Sequence, residues 1–159
     1  MNPLIVKGVL YGVSPSLRLF ALDASTGAEL WSFTPDTPSK SWTSSRGVAY
    51  WADGDDERIV FGAGPYLHAI DATTGMPKTD FGDDGVVDLR EGLGRDISGD
   101  MLGVVVTTPA TVFEDLVIIG GRVNEADGAA PGYVRAFDVR TGELRWMFHT
   151  IPQPGEVGY

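Results

Sequence analysis

Four polar side chains in this sequence are of the types that bind anions or hard cations. Arg46 begins the stretch RGVAYW, and its guanidinium offers a planar fork of donors that stays charged and matches carboxylate-type oxygens. Glu125 follows Gly121 within a glycine-rich loop, and its carboxylate suits Ca²⁺ or Mg²⁺, which take oxygen ligands. Thr107 and Thr108, which lie between Arg46 and Glu125 in the chain, add two hydroxyls. These residue types are chemically suited to binding an anion or a hard cation.

Each of these residues also has an ordinary structural interpretation. Arg46 could form a surface ion pair with an acidic residue of the stretch 53–57, because arginine is mostly exposed in proteins. Glu125 could be a solvated loop residue, and the two threonines could be plain strand residues, since threonine is common in strands. The residue types alone leave both interpretations open.

Three other candidates favour structural roles. The stretch 53–57 (DGDDE) lacks the spacing of an EF-hand loop, which indicates a solvated turn. His68 lies in the middle of a predicted strand and His149 at the end of another, and both positions favour packing or surface roles. The stretch 62–65 (GAGP) precedes a strand rather than a helix, so it does not form a phosphate cradle.

A repeated phrase defines the elements that must position these residues. Asp-x-x-Thr-Gly occurs three times, beginning at Asp23, Asp71 and Asp138, each time after an apolar run. Aspartate and threonine side chains accept hydrogen bonds from the following backbone, and glycine adopts positive φ without steric cost, so the phrase predicts a tight hairpin turn. Trp31 and Trp146 follow the first and third copies and are expected to pack between neighbouring sheets.

Short apolar runs separated by turn signals predict an all-β chain with no helix of useful length. Each unit contains four runs, and four antiparallel strands per repeat are typical of a propeller blade. We therefore predict a partial β-propeller of three blades over residues 3–33, 46–81 and 104–149, within a single domain 1–159. The predicted strands are 4–7, 9–12, 17–22 and 28–33; 48–51, 58–62, 67–70 and 78–81; and 104–113, 116–121, 133–137 and 143–148.

The irregular segments fall on one face of this fold. In an up-and-down sheet, the connector between strands two and three lies at the same end as the connector to the next blade. Segments 34–45 and 82–103 and the loop after Gly120 therefore share one end, opposite the Asp-x-x-Thr-Gly turns. Strand counting places Arg46, Thr107, Thr108 and Glu125 at that end, and long loops are where function concentrates.

Composition excludes several classes of partner. The net charge is -10 over 159 residues, which argues against nucleic acid and against an anionic membrane surface, because both need a basic patch. With no cysteine, neither a disulfide framework nor a thiolate metal site is available. The sequence shows neither a signal peptide nor an apolar run long enough to span a membrane.

Four segments give the chain a resemblance to a known family. They are residues 3–11 (PLIVKGVLY), 21–31 (the first Asp-x-x-Thr-Gly copy and its tryptophan), 45–51 (SRGVAYW) and 81–85 (FGDDG). The chain resembles the pyrroloquinoline quinone (PQQ)-dependent dehydrogenases, in particular the glucose dehydrogenase type. The resemblance implies an eight-bladed propeller with PQQ near its axis and a divalent cation beside it, and oxidation of a sugar or alcohol by hydride transfer to the quinone.

The resemblance also assigns roles. It implies that Arg46 contacts the quinone end of PQQ, that Thr107 or Thr108 hydrogen-bonds the cofactor, and that Glu125 is a ligand of calcium or magnesium. The family's catalytic aspartate lies beyond Tyr159, so the chain is expected to be a fragment of about three blades, inactive alone. The absence of the adjacent-cysteine disulfide of methanol-type members favours the sugar-oxidising branch.

Further expectations follow from the same resemblance. They are a periplasmic location, a quinone or cytochrome as electron acceptor, and membrane attachment only through segments outside this chain. Two other hypotheses remain at this stage. A non-catalytic propeller of the outer-membrane assembly type would bind protein partners through a blade edge, and a small complete β protein would bind carbohydrate or self-assemble.

Overall fold

The computed structural model describes residues 2–36, 44–94, 103–126 and 128–159. These residues form twelve strands in three four-stranded sheets, and every paired neighbour is antiparallel. No helix occurs within these ranges, and so none that could cross a membrane. The all-β prediction and the four-stranded blade are confirmed.

Strand order in each sheet follows the chain, as in an up-and-down blade. The first blade contains β1 (Leu4–Val6), β2 (Val9–Val13), β3 (Leu19–Asp23) and β4 (Glu29–Phe33). The second contains β5 (Ala49–Asp53), β6 (Asp56–Ala63), β7 (Tyr66–Asp71) and β8 (Val86–Asp88). The third contains β9 (Thr111–Phe113), β10 (Leu116–Ile119), β11 (Val134–Asp138) and β12 (Leu144–Phe148).

Two predicted strands are wrong in place or length. The fourth strand of the second blade lies at Val86–Asp88 and not at 78–81, because the chain leaves the sheet after one bridge between Ile70 and Pro77. It returns where the N–H of Ala69 donates to the carbonyl of Gly85, so residues 79–84 form an excursion. The predicted strand 104–113 keeps only Thr111–Phe113, because the segment before it pairs elsewhere.

The three repeated turns have the predicted hydrogen bonds. The Oδ1 atom of Asp23 accepts from the backbone N–H groups of the second and third residues after it, at 3.0 and 2.8 Å. Asp71 and Asp138 repeat this arrangement. The hydroxyls and N–H groups around the Asp23 carboxylate lower its pKa to about 2. The glycines that end the turns have φ of 75°, 75° and 74°. The structural role predicted for these aspartates is confirmed.

Tryptophan packing joins the first blade to the second. The indole N–H of Trp31 donates to the carbonyl of Ala72 at 3.1 Å, and the ring covers Gly75, where a Cβ would lie 2.7 Å from ring atoms. The middle repeat has Thr79 at the tryptophan position, and Val87 of the displaced strand β8 covers Gly142 instead. The predicted packing role of Trp31 is confirmed, whereas the side chain of Trp146 is 40% exposed in the described structure.

Two apolar cores lie between the sheets. One joins the first and second blades and includes Leu19, Phe61 and Ile70, and the other joins the second and third and includes Val60, Leu67 and Val117. All six side chains are fully buried. Because β6 and β7 alternate their side chains between the two cores, the second blade is held on both faces. The two cores thereby fix the three blades relative to one another.

Candidate functional site

Strand direction places the predicted site residues at one end of the sheets. β5 begins three residues after Arg46, and β9 begins four residues after Thr107. β10 runs antiparallel to β9, so the loop that follows β10 and contains Glu125 returns to the end where β9 begins. The Asp-x-x-Thr-Gly turns lie at the opposite end. This arrangement agrees with the placement predicted from strand counting.

Backbone hydrogen bonds join the segments that contain Arg46 and Thr107. The N–H of Arg46 donates to the carbonyl of Thr107 at 2.9 Å, and the carbonyl of Arg46 accepts from the N–H of Asn2 at 2.8 Å. Asn2 precedes β1, so the ladder connects the starts of the innermost strands of all three blades. The main chain of Arg46 is therefore held on both sides, by bonds that do not involve its side chain.

A second set of bonds ties the Glu125 loop to the same place. Val105 and Arg122 form an antiparallel bridge, with N–H to carbonyl distances of 2.9 and 2.8 Å. Val105 lies two residues before Thr107, and Arg122 three residues before Glu125. The segment 104–107 thus lies between the Arg46 segment and the Glu125 loop, in contact with each.

The side chain of Arg46 is exposed, and no described residue forms an ion pair or side-chain hydrogen bond with its guanidinium. Three of the four acidic residues that offered the structural alternative have other cationic partners. Asp53 pairs with Arg140 at 2.8 Å, and Glu57 pairs with Lys7 at 2.7 Å. Asp56 likewise pairs with Arg58 and with a lysine. The surface ion pair weighed for Arg46 is not formed with them.

The other predicted site residues differ in exposure. Thr107 is half-buried, whereas Thr108 and Glu125 are exposed. In the Glu125 loop, Asn124 Oδ1 accepts from the N–H of Ala126 at 2.9 Å, which orders the backbone around the carboxylate. Within the residues that the structure describes, no three His, Cys, Asp or Glu side chains converge as a metal centre. The described residues therefore bring no such cluster together at Glu125.

Sequence reasoning missed Arg135, which shapes this end of the molecule. Its side chain is only 4% exposed and donates to the carbonyls of Leu89 and Glu91 at 2.7 and 3.1 Å. Burial lowers the pKa of its guanidinium, which also lies 5.5 Å from the ring of Phe137. Arg135 therefore fixes the start of the connector that leads from the second blade to segment 104–107. An arginine inside the apolar strand VRAFD was the available signal.

The two histidines have the packing and surface roles expected of them. His68 is 4% exposed and stacks on Phe61 with ring centroids 5.2 Å apart, with Phe33 of the first blade at 5.9 Å. Among the residues that the structure describes, none forms a hydrogen bond with either ring nitrogen of His68. His149 contacts Glu156 through Nδ1 at 2.6 Å and lies against the ring of Tyr133.

His68 predicts a pH-dependent stability. Burial lowers its pKa from 6.5 to about 4, so the unfolded chain binds more protons than the folded chain between these values. We expect the free energy of unfolding to fall as the pH decreases from 6.5 towards 4, by up to ~3 kcal/mol. A His68→Phe variant should lose this dependence and resist urea better at pH 5.

Urea titrations across this pH range, followed by tryptophan fluorescence, measure the effect. His149→Gln is the matched control, since it removes the histidine that lies near the surface and leaves the core unchanged. An equal slope of stability against pH in wild type and His68→Phe would show that His68 does not produce the dependence.

Comparison of this sequence with known proteins shows that it matches one protein family. Residues 1–158 match the family described as "PQQ: Glucose/ethanol/alcohol dehydrogenase, beta-propeller domain". The quinate/shikimate dehydrogenase (quinone) of Acinetobacter baylyi is 30% identical over 99% of this chain. The dehydrogenase subunit of the alcohol dehydrogenase (quinone) of Gluconobacter oxydans is 35% identical over 96% of it. The chain spans 23% and 19% of the lengths of these two relatives.

A solved structure has the same fold. The quinohemoprotein alcohol dehydrogenase from Comamonas testosteroni superposes with a TM-score of 0.75, at 27% identity, over 98% of this chain and 22% of that protein. The three described sheets therefore correspond to blades of a β-propeller.

Proposed function

We propose that this chain, which belongs to the family of PQQ-dependent glucose/ethanol/alcohol dehydrogenase β-propeller domains, supplies part of the cofactor site of such an enzyme. The observation that most supports the site is the main-chain bond between Arg46 and Thr107 at the starts of two inner strands. When bound, PQQ supplies the redox chemistry by accepting hydride from the substrate, and the protein binds and orients it.

The chemistry of Arg46 fits such a ligand. PQQ presents carboxylate and quinone oxygens, and a guanidinium that is exposed and has no described protein partner can donate two parallel hydrogen bonds to them. Thr107 and Thr108 each add a hydroxyl beside it. Thr107 is the better candidate because its backbone contacts Arg46 directly, whereas Thr108 is the more exposed of the two.

Glu125 is our candidate ligand for a divalent cation at the same end. Its loop is joined to segment 104–107 by the Val105–Arg122 bridge, which supports a cation position near the cofactor oxygens. We propose Ca²⁺ or Mg²⁺, since hard cations take carboxylate and carbonyl oxygens. The cation and Arg46 would together hold a polyanionic ligand by charge.

For the whole protein we propose the oxidation of a sugar or an alcohol, with electrons passed to a quinone or a cytochrome in the periplasm. The family description names glucose, ethanol and alcohol dehydrogenases, and the names of the two relatives add a quinate/shikimate dehydrogenase and an alcohol dehydrogenase, both designated as quinone enzymes. The glucose-type substrate expected from the cysteine-free sequence is one member of this range.

Reconstitution tests the proposal. The full-length protein that contains this chain is expressed without cofactor and loaded with PQQ and Ca²⁺ or Mg²⁺. It is then assayed with glucose, ethanol and quinate by reduction of a dye. We expect dye reduction that requires PQQ and is lost when a chelator removes the cation. Dye reduction of equal rate without PQQ would overturn the proposal.

A further inference from the structure

The segment that contains Thr107 passes through two close contacts with glycine backbones. A Cβ built on Gly62 of strand β6 would lie 2.1 Å from Val106 Cγ1. A Cβ built on Gly121, just after β10, would lie 2.4 Å from Val104 Cγ1. Real Cβ atoms do not approach other atoms so closely, so a larger residue at either glycine forces the facing valine or the glycine's own backbone to shift.

The valines on this segment are anchored by their burial. Val104 is 3% exposed and Val106 is 2% exposed, and both belong to the core between the second and third blades. The N–H of Val106 donates to the carbonyl of Gly64 at 2.9 Å, which holds the segment against the second blade. The Val105–Arg122 bridge holds it against the third. The segment is thus fixed between the blades by two glycine contacts and three main-chain hydrogen bonds.

The position of Thr107 depends on this arrangement. Thr107 is the next residue after Val106, and its carbonyl accepts from the N–H of Arg46. A displacement of Val104 or Val106 would therefore be transmitted to both Thr107 and the Arg46 segment. Neither glycine is itself fully exposed to a ligand at this end, because Gly62 is buried and Gly121 is half-buried.

We propose that Gly62 and Gly121 are positioning residues for the cofactor site, and that the closeness of their backbones to Val106 and Val104 sets the spacing of Thr107 and Arg46. This inference rests on the proposed function for its ligand, PQQ. Its structural part concerns only the contacts within the chain and can be tested without any ligand.

Gly121 offers a controlled experiment because the neighbouring glycine, Gly120, lacks its close contact. Gly120 has no atom within 4 Å of a built Cβ, and neither glycine has positive φ. In the full-length protein, we expect Gly121→Ala to raise the dissociation constant for PQQ by ~10- to 100-fold, since small misplacements of binding groups have effects of this size. Gly120→Ala should bind PQQ as wild type does.

A compensating change tests the mechanism directly. Val104 Cγ1 is the atom that a Gly121 Cβ meets, whereas Val104 Cβ lies 3.8 Å from it, an ordinary contact distance. The double variant Gly121→Ala/Val104→Ala adds one methyl group at Gly121 and removes both γ-methyl groups of Val104, including the one that clashes, and we expect it to regain wild-type affinity for PQQ. If Gly121→Ala alone does not fold, a folded double variant with normal affinity still supports the proposal. A folded double variant with weak affinity overturns it.

Hydrogen exchange provides the readout that needs no cofactor. The amide of Arg46 is protected by the Thr107 carbonyl, so its exchange should be faster in Gly121→Ala than in Gly120→Ala, and normal in the double variant. Equal exchange and equal PQQ affinity in the two alanine variants would overturn the inference. If wild type itself fails to bind PQQ while the exchange pattern holds, the proposed function fails and the positioning role stands.

Discussion

Arg46→Ala is expected to reduce the affinity of the full-length protein for PQQ by ~100-fold or more. Hydrogen bonds to charged groups contribute about 1.5–3 kcal/mol each, and a guanidinium can form two of them to one ligand. Arg46→Lys should give an intermediate loss, because an ammonium keeps the charge but lacks the planar fork. Titration of the apoprotein with PQQ, followed by quenching of tryptophan fluorescence, measures both.

The stability of the protein should not change with these substitutions. The Arg46 side chain is exposed and pairs with no described residue, and surface substitutions of this kind alter the free energy of unfolding by about 0.5 kcal/mol or less. Arg145→Ala is the control, since Arg145 lies in the outermost strand β12, near its start at the turn end, and its side chain is 54% exposed. PQQ affinity in Arg46→Ala equal to that of the Arg145 control would contradict the assignment.

The sequence predicted the blades because their turn chemistry is local. Each Asp-x-x-Thr-Gly phrase contains both the acceptor and the donors of its own turn, so nothing distant is needed to recognise it. Strand β8 was misplaced for the opposite reason. It pairs with β7 over only three residues, and the excursion before it is closed by contacts of Gly82 and Gly85 with other parts of the chain.

The direction of each strand could also be predicted from the sequence, whereas the contacts of individual side chains could not. Alternating strands place Arg46, Thr107 and Glu125 at one end whatever their neighbours are. That Arg46 forms no ion pair with a described residue, whereas Asp53 and Glu57 pair with Arg140 and Lys7, depends on contacts between distant parts of the chain. Arg135 is a similar case, since the carbonyls that it binds lie 44 and 46 residues away in the chain. Such contacts become visible only in three dimensions.

Glu125→Gln is expected to weaken cation binding while leaving the shape of the loop unchanged. The amide keeps one oxygen but removes the negative charge, and the affinity of oxygen sites for Ca²⁺ depends on the number of charged ligands. We expect the concentration of Ca²⁺ or Mg²⁺ that gives half-maximal dye reduction to rise by ~100-fold, with part of the activity recovered at high cation concentration. Arg46→Ala should leave this cation dependence closer to that of wild type.

The control for this prediction is Glu143→Gln, a change of the same type in the turn at the other end of the third blade. Both variants lose one negative charge, so a general effect of the protein's net charge of -10 on cation concentration near its surface would appear in both. If Glu125 is a specific ligand, the cation concentration for half-maximal dye reduction rises only in Glu125→Gln. An equal shift in the two variants would assign the effect to the overall field and remove Glu125 from the cation site.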